Sequence, residues 1–162
     1  ARAEKEPLAR IGPAVAAPLY DPPDAIEAPV ESARGTHPAP GPPHAGRYFA
    51  ALLAGALQGA SRAELLAPLF SPVPGLWERQ PLKPEVLAVA RGGWRHKPAA
   101  AIHGGGHAAA GLEAALWALA GANSLREALL AAVNLGGDAD TNGAITGQLA
   151  GALHGAGALP PA

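Results

Sequence analysis

Cysteine and methionine are both absent from this chain of 162 residues. Without cysteine the chain has no disulfide, no thiolate metal ligand and no thiol nucleophile, so these kinds of chemistry are excluded. The missing cysteines leave the compartment undetermined, because neither an oxidising nor a reducing environment is indicated. No apolar run approaches the roughly 18 residues of a membrane-spanning helix. The default expectation is therefore a soluble, cytoplasmic protein.

Aromatic residues make up only 4% and charged residues only 15% of the chain, although 49% of it is hydrophobic. Much of that hydrophobic fraction is alanine, which predicts a core of small side chains packed closely between helices. A net charge of −1 provides no electrostatic attraction to nucleic acid or to an anionic membrane. The apolar periodicity predicts an all-α bundle of about six helices in a single domain.

A polar cluster stands between two helical patterns in the stretch 134–154. Two consecutive glycines interrupt the backbone after the first pattern, and apolar residues then recur at helical spacing. The start of the second helix would present free backbone N–H groups, which attract oxygen anions. Two carboxylates and a hydroxyl fall on this predicted turn: Asp138, Asp140 and Thr141.

This all-oxygen set suits a hard cation such as Mg²⁺, Ca²⁺ or Mn²⁺ better than it suits zinc. A simpler interpretation is that Asp138 or Asp140 only caps the following helix, because aspartate is a preferred N-cap residue. That interpretation leaves the second carboxylate unexplained. An EF-hand loop would begin in the same way, but its twelfth position, which should be glutamate, is Leu149.

The same residues carry a family resemblance, because the segment Gly136–Ala152 resembles the C-terminal signature of the ADP-ribosylglycohydrolase family. The resemblance implies an all-α fold with two Mg²⁺ or Mn²⁺ ions. These ions would lie between this segment and a Thr-Asp-Asp segment in the N-terminal half of family members. By this resemblance, the ligands on this side of the metal site are Asp138, Asp140 and Thr141.

Two further segments are similar to family motifs that approach the substrate. Arg10, Ile11 and Pro13 match part of a segment that lines the substrate cleft, although other positions of that motif differ. His37, within Thr-His-Pro, occupies the position of a family histidine that lies near the phosphates of the bound nucleotide. The resemblance makes His37 a candidate for binding; without it, His37 is an ordinary loop residue.

Two other clusters invite a functional interpretation but have simpler ones. His103 and His107 flank three glycines, yet a zinc site would lack a third ligand and the pattern of a phosphate-binding P-loop is absent, so a structural turn is expected. The segment 94–97 combines tryptophan with basic residues and could stack on a base, but an exposed linker in a proline-rich region is the simpler interpretation.

Glycines recur at every fourth position of the last helical pattern, which indicates the close approach of another helix. They are Gly143, Gly147 and Gly151.

Two functions of different classes remain open. The resemblance implies a hydrolase that removes ADP-ribose from a modified side chain or a related glycoside, with ADP-ribose or an ADP-ribosylated molecule as its partner. The alternative is a non-catalytic structural or ADP-ribose-binding protein similar to crystallin J1. We expect residues 1–162 to be one region whose N-terminal half is absent, because family members are longer and no initiating methionine is present. No catalytic base is assigned, and the isolated region is expected to be inactive or to self-associate.

Overall fold

The structure is a computed structural model, and it describes residues 8–16, 26, 44–105 and 107–158. These residues form α-helices and short 3-10 turns without any β-strand, which confirms the predicted all-α fold. The α-helices are α1 (Ile11–Ala16), α2 (His44–Leu57), α3 (Arg62–Leu66), α4 (Leu76–Arg79), α5 (Pro84–Ala90), α6 (Ala108–Gly121), α7 (Leu125–Asn134) and α8 (Ala139–His154). The 3-10 turns are Leu8–Arg10, Ala99–Ala101 and Ala156–Ala158. None of the described helices is long and apolar enough to cross a bilayer.

Helix α2 is the centre of the core, and it packs against α1, α3, α5, α6 and α8. Tyr48, Phe49 and Leu52 lie along it and are almost completely buried. Burial raises the pKa of the Tyr48 hydroxyl above its usual range, so this side chain stays neutral. The alanines between these residues are also buried, as the composition predicts, and their small side chains allow neighbouring helices to approach closely.

Helices α7 and α8 form an antiparallel pair joined by a short turn. A Cβ atom on Gly143 would lie 3.1 Å from Val133 Cγ1, and one on Gly147 would lie 3.2 Å from Leu129 Cδ2. These distances are shorter than ordinary van der Waals contact. The glycine repeat therefore marks a close helix approach, and the approaching helix is α7. Gly151 differs, because its Cβ would meet no atom within 4 Å among the described residues.

Two helices begin at a serine that is followed three residues later by glutamate, a sequence pattern typical of a helix start. Ser61 caps α3 in a capping box: its hydroxyl accepts a hydrogen bond from the Glu64 backbone N–H, while the Glu64 carboxylate accepts one from the Ser61 backbone N–H. Ser124 caps α7 through the backbone N–H of Glu127, whose carboxylate accepts from the Asn123 backbone N–H at 2.8 Å. Each capped start contributes about 1 kcal/mol.

The region 67–100 contains more helix than its prolines suggest, because α4 and α5 both lie in it. Pro84 occupies the first turn of α5, where proline removes no helical hydrogen bond.

Segment 94–97 was expected either to stack on a base or to be an exposed linker. Both interpretations are wrong for Trp94, which is only 3% exposed and belongs to the core. Arg95 lies over its ring at 4.7 Å and donates a hydrogen bond to the Leu66 carbonyl. Lys97 pairs with Glu113 at 2.6 Å, so the segment joins helices.

Gly55 offers a test of the packing around α2, because a Cβ atom there would overlap the ring of Phe70. We expect Gly55→Ala to lower the free energy of unfolding by about 1–3 kcal/mol, the usual cost of overpacking. Gly151→Ala is the matched control, since it adds the same methyl group within a helix but into open space. It should raise the free energy of unfolding by up to about 1 kcal/mol. Urea denaturation measures both, and equal effects of the two changes would contradict the packing.

Candidate functional site

The turn between α7 and α8 begins with two glycines in the left-handed region of the backbone. Gly136 has a φ of 74° and Gly137 a φ of 66°. Other residues adopt this conformation only at a cost, so the glycine pair lets the chain reverse within a few residues. Asp138 follows in the N-cap position of α8, and the first turn of that helix contains Asp140 and Thr141. The three sequence-predicted oxygen ligands therefore lie together at one helix end.

The hydrogen bonds of this turn differ from those of a simple N-cap. The Asp138 side chain accepts no capping hydrogen bond from the α8 backbone. Instead, the Thr141 hydroxyl donates to Asp138 Oδ1 at 2.9 Å. Asp138 and Thr141 are half-buried, whereas Asp140 is exposed and its Oδ1 accepts from the Thr141 backbone N–H at 2.9 Å. Asp138 occupies the N-cap position, but its carboxylate accepts from a hydroxyl group and not from the helix backbone. Helix capping therefore does not explain why this carboxylate is there.

These ligand atoms suit a hard cation, because a carboxylate oxygen and a hydroxyl oxygen are in contact and a second carboxylate lies beside them. They are too few for a complete site, because Mg²⁺ takes about six oxygen ligands. Among the described residues, no group of three or more histidine, cysteine, aspartate or glutamate side chains is placed to hold a metal ion. Assignment of Asp138, Asp140 and Thr141 to a metal therefore stays a prediction.

Asn142, which the sequence pattern does not single out, is completely buried one turn after Asp138. Its side chain packs on Gly104, where a Cβ atom would lie only 2.8 Å from Asn142 Cγ. This contact holds the segment around Gly104, which we call the glycine loop, against the first turn of α8. A buried asparagine is uncommon unless it makes specific contacts. The sequence does place an asparagine one helical turn after Asp138, within a predicted helix. Its partner Gly104 could not be predicted, because it is distant in sequence.

The described part of the glycine loop, residues 103–105 and 107, lies between the 3-10 turn Ala99–Ala101 and α6. His103 and His107 lie at its two ends and are exposed. Within the described part of the chain they join no cluster that could hold a metal ion. His107 precedes α6 without capping it by its side chain.

The N-terminal segment that resembles a family substrate motif is attached to α8 by Gln148. Its Oε1 atom accepts from the Gly12 backbone N–H at 2.6 Å, and its Nε2 atom donates to the Leu8 carbonyl at 3.1 Å. Leu8 and Ile11 are buried, while Arg10 is exposed. This attachment fixes the segment along the helix that begins with the acidic turn. His37 lies outside the described residues.

Comparison with known proteins adds independent information. The family model described as ADP-ribosylglycohydrolase matches residues 2–162. The chain is 38% identical over 115 residues to the ADP-ribosylarginine hydrolase Tri1 of Pseudomonas putida (strain GB-1), an alignment that covers 71% of this chain and 29% of that protein. It is 34% identical over 125 residues to the protein of the same name from Serratia proteamaculans (strain 568), covering 77% and 32%.

A solved structure also resembles the fold. It is that of an ADP-ribosylglycohydrolase-related protein complex, and it matches with a TM-score of 0.80 and 41% sequence identity. The match covers 95% of this chain and 51% of the other. The chain thus spans about a third of the length of the curated relatives that it matches, and half of the solved chain.

The contact between Gly104 and Asn142 can be tested with neighbouring glycines. We expect Gly104→Ala to lower the free energy of unfolding by about 1–3 kcal/mol, because the new methyl group would displace a buried side chain. Gly105→Ala adds the same group where no atom of the described residues lies within 4 Å, and it should change stability by less than about 0.5 kcal/mol. Amide NMR shifts of the acidic turn should move only in the first variant. Unchanged shifts there would contradict the proximity of loop and turn.

Proposed function

Because this chain belongs to the ADP-ribosylglycohydrolase family, we propose that it supplies one side of the active site of a metal-dependent hydrolase. The substrate that we propose is an ADP-ribosylated arginine side chain, which the names of its relatives indicate. The observation that carries the proposal is the arrangement of Asp138, Asp140 and Thr141 at the start of α8. The experiments below test it.

Each residue of the acidic turn has a role in this proposal. Thr141 donates to one oxygen of Asp138, so that carboxylate is oriented before any ligand arrives. Asp140 is exposed and can face the substrate side of the turn. Two Mg²⁺ or Mn²⁺ ions, when bound, would supply positive charge that holds the ribose hydroxyls and polarises a water molecule. The three side chains would hold these ions on one side.

The reaction that we propose is hydrolysis of the bond between the anomeric carbon of ribose and a guanidine nitrogen. Water adds to the carbon, the bond to nitrogen breaks, and the leaving guanidine takes up a proton. Positive charge develops on the ribose during this step, as in other glycoside hydrolyses. A carboxylate held in place by hydrogen bonds can stabilise that charge without having to reorganise. We assign no general base, and we propose that it comes from outside the described residues.

His37 is proposed as a contact to the nucleotide phosphates because of its position within Thr-His-Pro. A histidine can donate a charge-assisted hydrogen bond to a phosphate oxygen.

The second candidate function is binding of ADP-ribose without hydrolysis, as in a crystallin J1-like protein. Two departures from the family pattern favour it. Ala110 and Gly111 stand on α6 where the family resemblance implies an acidic and a hydroxyl residue. The two candidates differ in one measurable property, since only a hydrolase releases free ADP-ribose.

Metal binding by the isolated chain should be weak, because the turn offers at most three oxygen ligands of the roughly six that Mn²⁺ or Mg²⁺ needs. We expect calorimetric titration with Mn²⁺ to give a dissociation constant in the millimolar range. Replacing Asp138 and Asp140 together by alanine should abolish the binding. Glu78→Ala is the control, since it removes an exposed carboxylate elsewhere on the chain. Tight binding that survives the double replacement would place the metal at another site.

Catalysis should depend on this turn and on further groups, which we propose lie in the part of the relatives that this chain does not span. We expect no release of ADP-ribose from ADP-ribosylated arginine by the purified chain alone. A chimera in which it replaces the matching region of the Pseudomonas putida relative should be active with Mn²⁺. Asp140→Ala should lower that activity at least about 100-fold, as expected for loss of a metal ligand, whereas Glu78→Ala should not.

Two outcomes would contradict this account. An active chimera that is unaffected by Asp140→Ala would remove the acidic turn from the mechanism. Release of ADP-ribose by the isolated chain, abolished by Asp140→Ala, would mean that a complete site assembles within it or across a dimer. A chimera that binds ADP-ribose but never hydrolyses it would support the second candidate function.

A further inference from the structure

Gln148 uses both ends of its side-chain amide to hold the N-terminal segment, residues 8–12, against α8. Its Oε1 atom accepts a hydrogen bond from the Gly12 backbone N–H at 2.6 Å, and its Nε2 atom donates to the Leu8 carbonyl at 3.1 Å. A Cβ atom at position 12 would lie only 2.8 Å from Oε1, so a side chain there would push the amide away. One half-buried amide therefore fixes the backbone on both sides of Arg10.

These hydrogen bonds fix the segment close to the acidic turn. The same Nε2 atom also donates to the Ala144 carbonyl at 3.2 Å, so the Leu8 carbonyl lies beside the second turn of α8. Ala144 comes four residues after Asp140, which is about 6 Å along the helix axis. The 3-10 turn that begins the segment packs on α8, whereas Ala16 borders a cavity that extends to the C-terminal end of that helix. The start of the segment is thus its end nearest the acidic turn.

Arg10 gives this placement a chemical use. It lies midway between the two anchored residues, and its side chain is exposed. Residues 8–16 and 139–154 contain no other lysine or arginine. In an ADP-ribosyl group one carbon atom joins the ribose ring to the diphosphate, so a ribose at the acidic turn brings the diphosphate into the region beside that turn. The carboxylates there repel a diphosphate, whereas a guanidinium can donate to two phosphate oxygens at once.

We propose that Gln148 is a positioning residue, which holds the segment so that Arg10 binds the diphosphate of an ADP-ribosyl group whose ribose lies at the acidic turn. This inference rests on the function proposed above, and it adds a diphosphate contact and the residue that orients it. Gln148 does not contact the ligand, since backbone groups occupy both ends of its amide. It acts through the backbone of Leu8 and Gly12.

Titration of the full chain with ADP-ribose at excess Mg²⁺, followed by amide NMR shifts, tests the inference. We expect the amides of residues 8–12 and of the acidic turn to shift together. Arg10→Gln should weaken binding at least about fivefold, because charge-assisted hydrogen bonds to phosphate are lost. Gln148→Met keeps the length of the side chain without the amide; it should weaken binding by a similar factor and move the Gly12 amide shift before ligand is added. Gln58→Met is the matched control at an exposed position, and it should have no effect.

The double variant separates positioning from a merely structural role. If Gln148 acts through Arg10, then Gln148→Met should add less than about twofold to the loss that Arg10→Gln already causes. Losses that multiply in the double variant would show that the two residues act independently, and they would overturn the inference.

Failure of this inference can be distinguished from failure of the proposed function. Binding that is weakened by replacing Asp138 and Asp140 with asparagine, but not by Arg10→Gln or Gln148→Met, would overturn the inference and leave the acidic turn as a candidate site. Binding that depends on Arg10 and Gln148 but not on the two aspartates would support the diphosphate contact and count against the proposed metal site. Absence of ADP-ribose-dependent shifts in the folded wild-type chain would overturn the inference, whereas activity of the chimera tests hydrolysis separately.

Discussion

The close packing of α7 against α8 is the constraint on which the candidate site depends. Gly143 and Gly147 let the two helices approach so closely that a Cβ atom at either position would crowd the side chain of Val133 or Leu129. The two helices are joined by a short, sharply reversing turn, which the two left-handed glycines before Asp138 make possible. The acidic residues are placed by this reversal, so the glycines are needed for the site although they contact no ligand.

The predictions from sequence were most accurate where the deciding interactions are local. The starts of α3 and α7 follow from capping residues within three or four positions, and the acidic turn follows from glycines next to it. Contacts between distant segments were not predictable in this way. The burial of Trp94, the packing of Asn142 on Gly104 and the hydrogen bonds of Gln148 all join residues brought together only by folding.

The fold offers two different places where a ligand could bind, the polar turn and an apolar cavity. A cavity of about 550 Å³ lies between α1, α2, α7 and α8, and its lining includes Leu53, Leu57, Leu125 and Leu129. Its apolar walls offer almost nothing to a pyrophosphate or a ribose hydroxyl. A cavity of this volume is large enough to hold a small ligand. The chemistry of the donors favours the acidic turn instead, because a charged nucleotide needs oxygen ligands, cations and hydrogen-bond donors.

The small-residue composition connects these features. Alanine and glycine allow α2, α7 and α8 to pack closely, which leaves few positions in the core for polar side chains. The polar groups that are buried, Arg47, Asn142 and Thr146, therefore need a specific reason to be there. Asn142 has one in its contact with Gly104 next to the acidic turn. Arg47 has one in its hydrogen bond to Gln80, which ties the first turn of α2 to the segment between α4 and α5.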